Sequence, residues 1–221
     1  VSIIMAAITD AEALIGVDTD AVNTVNAQRQ SLSKATVIPH LRAIIAARGP
    51  VSCAWYVTAA SASAGMEFDA IIDRLADLTC SSWHSAAMVA AQNHQPEPEA
   101  TQIVVAGWSE SLKAITGARC DRNERGEWIV TSLRGQAYVS PYEHEIVGMQ
   151  LPVSVAQMAD AAPLIVGMLK QHYPNKAGGG RLLVGRATKD RAGFLDLGEI
   201  EPRTALGAPS FRVAMAGGMG V

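Results

Sequence analysis

The chain has 221 residues, 49% of them hydrophobic and 5% aromatic, with a formal net charge of −3 at pH 7. That is enough apolar material for one domain with a sizeable core, and the slight acidity leaves no electrostatic footprint for nucleic acid. No apolar run reaches the length of a membrane span, the opening VSIIMAAITD brings an Asp too early for a signal peptide, and Cys53, Cys80 and Cys120 form no Cys-x-x-Cys; the expectation is a cytoplasmic protein with reduced thiols and no membrane contact.

The first fifty residues read as β. Residues 2–8 and 13–17 are apolar runs separated by the turn-like Thr9-Asp10-Ala11-Glu12, and Gly16 and Asp18 punctuate the second. The polar stretch 18–33 is read as an extended loop. Residues 34–41 and 43–47 suggest a second hairpin, closed at Gly49-Pro50. Helix follows. Phe68, Ile71, Ile72, Leu75 and Leu78 recur with helical spacing and predict a helix over 66–79. The Ala/Ser-rich stretch 51–64 tolerates helix, with Gly65 dividing the two. Residues 82–92 form a further expected helix, with Trp83, Ala86, Ala87 and Ala90 inward, and the prolines of 94–99 mark a linker.

Strands return at 101–108, 112–119 and 128–133, with a polar hairpin loop at 121–126. Val155, Met158, Ala159, Ala162, Ile165, Val166 and Leu169 predict a helix over 154–171, which Pro163 should kink or break. Val153, Ile165, Val166, Met168 and Leu169 cannot all point inward on a helical period, so this helix is expected to carry a surplus apolar stripe and to support a homo-oligomer. A strand pair at 181–186 and 193–197 closes the fold, and 214–221 is a Gly-rich tail. The order points to the α+β class: a four-layer αββα sandwich with two antiparallel sheets, in a single domain over 1–213.

Chemistry concentrates in Ser2, Asp18 and Lys34, which follow one another at equal intervals of 16 residues, and in Gly49 beyond them. A hydroxyl beside a free α-amine is a nucleophile with its own base. A buried Asp–Lys pair next to it keeps a positive charge close, which favours the neutral amine. Taken singly, Asp18 suits a strand-ending turn, Lys34 an edge-strand charge, Gly49-Pro50 punctuation and Ser2 a small terminal residue. As a set they suggest a site. Other candidates are weaker. Glu143-His144-Glu145 alternate faces on a strand and cannot converge on a metal ion, and His40, His84, His94 and His172 share no ligand spacing. Gly178-Gly179-Gly180 lacks the surroundings of a phosphate loop.

These residues resemble the N-terminal nucleophile hydrolases, specifically the proteasome β-subunit and its bacterial relatives. There a nucleophilic Thr, Ser or Cys opens the first strand, an Asp ends the second, a Lys begins the third, and a Gly after the fourth supplies an oxyanion-hole amide. The matching segments are SIIMAAIT, LIGVD, SKATVIP and AARGP, and AGGGRLLVGRATKDRAGFLDLG resembles the family's glycine-rich return. The resemblance implies an amide or peptide hydrolase with Ser2 as nucleophile, Asp18 and Lys34 supporting its amine, and Gly49 at the oxyanion. It also implies a peptide or small amide substrate, no cofactor or metal ion, and a self-assembling homo-oligomer. The sequence departs from the family at two points. Active members carry Asp-x-x-Ser-Gly-Gly where this chain has Asn175-Lys176-Ala177-Gly178-Gly179-Gly180, and Val1 precedes Ser2, whose nitrogen as an amide cannot serve as base. The alternative is a catalytically silent member of the same fold that builds a ring or shell.

Overall fold

Runs of Ala, Ile and Val bury both faces of their strands, so each sheet needs a cover on either side. The computed structural model describes residues 2–23, 26, 28–98, 101–141, 151–173 and 178–203. One sheet holds β1 (Ile4–Ile8), β2 (Glu12–Asp18), β10 (Ala137–Ser140), β11 (Arg181–Thr188) and β12 (Ala192–Glu199), in the order β10-β1-β2-β11-β12. The other holds β5 (Ala35–Ile38), β6 (Ala43–Arg48), β7 (Gln102–Ser109), β8 (Ala114–Arg122) and β9 (Trp128–Ser132) in chain order. All pairings within both sheets are antiparallel. The helices are α1 (Ser52–Ser63), α2 (Phe68–Asp73), α3 (Leu75–Gln92) and α4 (Val155–His172).

The period of two along each strand sets the layers. In β1, Ile4, Ala6 and Ile8 face the second sheet, while Met5 and Ala7 join Ile3 against α4. In β6, Ile44 and Ala46 face the first sheet, while Ala43, Ile45 and Ala47 pack under α1, α2 and α3. Each fully buried Ile or Leu contributes about 1.5–3 kcal/mol, and the three apolar clusters give the expected αββα sandwich of the α+β class. The sheets approach closely at Gly117, where a Cβ would stand 2.4 Å from Ile8 Cδ1 of the first sheet and 2.7 Å from the Val105 carbonyl oxygen of its own sheet.

Several boundaries move. The stretch read as a loop contains a small hairpin, β3 (Asp20–Val22) with β4 (Arg29–Ser31). The helix expected over 66–79 breaks at Arg74, and α3 runs on through the expected gap at 80–81. There Thr79 Oγ1 donates to the Leu75 carbonyl and Ser82 Oγ to the Thr79 carbonyl, so the polar run bonds back to its own helix. Strand β10 had no counterpart in the expected elements.

Helix α4 begins with Ser154, whose hydroxyl accepts from Gln157 N, while Gln157 Oε1 accepts from Val153 N. It continues through Pro163. The surplus stripe is not there: Ile165, Val166 and Leu169 are buried, and of the five residues only Val153 is largely exposed. The returning chain covers the helix's other side, with Ile200 in the same cluster and the Arg203 carbonyl so close to Gly167 that a Cβ would lie 2.0 Å away. No helix among the described residues is long and apolar enough to cross a membrane.

Candidate functional site

Asp18 closes β2 and meets Leu182 across β11, which places its carboxylate at one end of the first sheet. Its Oδ1 accepts the Ile3 amide at 2.9 Å, and its Oδ2 accepts the Lys34 ammonium at 2.7 Å and the Gly179 amide at 3.1 Å. Lys34 lies just before β5, and its carbonyl accepts from Ala47 N at 2.9 Å, which brings it beside the end of β6. Gly49 follows two residues after Ala47, at φ 108°, in the left-handed region that a side chain disfavours. Ser2 is buried and directly precedes the Ile3 amide that Asp18 holds. The structure therefore brings Asp18, Lys34 and the backbone following Ser2 into one cluster, with Gly49 closing the adjacent strand.

Asp18 and Lys34 have side chains 0% and 1% exposed. A charge pair this dry holds only when its remaining lone pairs and protons also find partners. Asp18 accepts from three donors, and Lys34 gives a second hydrogen bond to the Asp20 carbonyl. The cluster thus fixes the position of the Lys34 ammonium against a carboxylate that also anchors the start of β1.

Asp20 is a member that spacing alone missed. Its Oδ2 accepts from Gly178 N at 3.0 Å and from Arg29 Nη1 at 2.8 Å, and its own amide donates to the Gly179 carbonyl at 3.1 Å. Thr19, between the two acids, accepts from Arg181 N through its hydroxyl and donates its amide to the Arg181 carbonyl. Gly179 and Gly180 sit at φ 121° and 71°, and a Cβ on Gly180 would stand 2.7 Å from Thr19 Oγ1. The signal for Asp20 was the triplet Asp18-Thr19-Asp20, which reads as ordinary turn chemistry. Asn175, one of the family departures, and Glu143-His144-Glu145 lie outside the described residues. Gly178 is described, and it enters the cluster through its backbone amide.

At the opposite end of β6 lies a cavity of about 260 Å³, lined among others by His40, Arg42, Phe68, Trp108 and Glu110. Arg42 pairs with Glu110 at 2.7 Å, and hydrogen bonds from Arg42 and then Lys113 hold the Glu110 carboxyl down to about 2. None of these residues belongs to the Ser2 cluster.

No protein-family model and no curated protein sequence matches the chain. Solved structures do. The chain is similar to Anbu (ancestral beta-subunit) from Yersinia bercovieri, with a TM-score of 0.58 and 7% identity over 88% of this chain and 87% of that one. It is also similar to a Gly-1 mutant of Anbu from Hyphomicrobium sp. strain MC1, with a TM-score of 0.55 and 9% identity over 90% of this chain and 88% of the other. At these identities the likeness is one of fold, a proteasome-like sandwich.

Proposed function

We propose that the chain is a proteasome-like amide or peptide hydrolase with Ser2 as its nucleophile. With Ser2 carrying a free α-amine, its hydroxyl attacks the substrate carbonyl while that amine takes the proton and returns it to the leaving amine as the amide C–N bond breaks, and water then cleaves the Ser2 ester to release the acid and restore the hydroxyl. The Lys34 ammonium favours the neutral, basic form of the α-amine, Asp18 keeps that ammonium in place, and the Gly49 amide faces the oxyanion. What supports this reading is the buried Asp18–Lys34 pair, tied through Asp18 to the amide immediately after Ser2. The chemistry calls for no cofactor or metal ion. The working unit is a single domain over 1–213, with 214–221 as a tail, in a reducing cytoplasmic setting.

The test is a preparation whose N-terminus is shown by mass to be Ser2, assayed on fluorogenic peptides and small amides. Turnover is expected there, and none with Val1 retained. Ser2→Ala should lower kcat by roughly 100-fold or more. Turnover by a Val1-bearing chain that survives Ser2→Ala would overturn the assignment.

A second reading, a silent subunit that builds a homo-oligomeric ring or shell, is favoured by the outer face of α1 and α3. Residues 49–66 and 78–96 contain no Asp, Glu, Lys or Arg, and Trp55, Tyr56, Met88 and Val89 are exposed there. A solvated helix layer ordinarily carries charge on its outer face.

A further inference from the structure

We infer that Asp20 is a positioning residue, a clamp that holds the glycine run Gly178–Gly180 against Asp18 and so keeps the Asp18–Lys34 pair fully bonded. A stretch of glycines has no side chain to fix itself, and two of these three stand at positive φ. Its place is set from outside. Asp20 reaches it twice, through its carboxylate to Gly178 N and through its amide to the Gly179 carbonyl. Gly179 N in turn donates to Asp18 Oδ2, the same oxygen that receives the Lys34 ammonium. Lys34 also donates to the Asp20 carbonyl, so the main chain of Asp20 sets where the ammonium can go. Arg29, from β4, pairs with the oxygen that accepts from Gly178 and joins the small hairpin to the clamp. The catalytic consequence rests on the hydrolase reading; the clamp does not.

Amide hydrogen exchange and catalysis test the two separately. In Asp20→Ala the Gly178 and Gly179 amides should exchange about tenfold faster, the scale of one lost hydrogen bond, whereas Asp20→Asn, whose side-chain oxygen still accepts, should stay near the unaltered chain. In the chain beginning at Ser2, kcat should fall by a similar factor in Asp20→Ala with KM unchanged and recover in Asp20→Asn. Unchanged exchange at Gly179 in Asp20→Ala, or no recovery of protection in Asp20→Asn, overturns the clamp. If Asp20→Ala does not fold, the unaltered chain decides: the Gly178 and Gly179 amides must both be protected from exchange, and a Gly178 amide that exchanges as freely as an unbonded one overturns the proposal. A chain beginning at Ser2 without turnover would remove the hydrolase reading and leave the exchange result standing.

Discussion

Lys34 carries a full charge into a place where 1% of its side chain meets water, and the first predictions at the residue scale follow from how that charge is balanced. Removing one partner strands the other: Lys34→Ala should cost about 3–5 kcal/mol, read as a lower urea midpoint. Replacing both Asp18 and Lys34 with Leu and Met should not restore stability, because the Ile3 and Gly179 amides would then lose their acceptor. Glu110 gives the pH dependence. Its carboxyl lies below its ordinary 4.5, at about 2, so the stabilisation from its partners is complete above pH 4.5 and is lost as pH falls toward 2. Glu110→Gln should flatten that part of an acid-unfolding curve; an unchanged curve would refute the assignment. Asp18 and Lys34 were legible because both stand at strand ends in one short region. Asp20 was not, because its partner amide at Gly178 lies 158 residues away in the chain.

At the scale of elements, periodicity found what apolar side chains specify and missed what polar bonds specify. Strands β1, β2, β6 and β7 and helix α4 announce themselves by what they bury. The hairpin of β3 and β4 has three residues per strand and is joined by the Arg29–Asp20 pair, so no apolar pattern marks it. Strand β10 is four residues long, and only its pairing with β1 reveals it. The stripe on α4 looked surplus because a sequence does not show that Ile200 and Arg203 return to cover it. Two glycines give sharp tests. Gly117→Ala should destabilise by roughly 1–3 kcal/mol, read as a lower urea midpoint, since the methyl group would meet the Val105 carbonyl of its own sheet as well as Ile8 of the other. Gly180→Ala adds strain at positive φ to a clash with Thr19, and should loosen the site end first, visible as faster amide exchange around 178–181.

For the whole molecule, the sandwich presents two unlike outer layers. On the α4 side the returning chain supplies its own cover. On the α1 and α3 side, residues 49–66 and 78–96 carry no Asp, Glu, Lys or Arg apart from Arg48's neighbourhood at their start and Glu67 at their end, and Trp55 and Met88 are exposed. Sedimentation at micromolar concentration should show a species much heavier than 23.2 kDa, and Trp55→Glu with Met88→Glu should return it toward the monomer by burying charge in the contact. A monomer in the unaltered chain would remove the assembly reading without touching the proposal that Ser2 is a nucleophile.

The three cysteines all belong to one side of this layered body: Cys53 on α1, Cys80 on α3 and Cys120 on β8 beneath them. Burial pushes the Cys120 thiol up to about 11 and raises that of Cys53 as well, so neither is a ready nucleophile while the helices stay seated. The chain therefore carries a native clock for one half of itself. Pulsed alkylation followed by mass analysis times the lifting of α1 and α3 from their sheet, and is blind to α4. Cys80, only partly buried, should take label first. Labels arriving together on Cys53 and Cys120 would mark that layer as one cooperative unit, and labels arriving minutes apart would mark it as two.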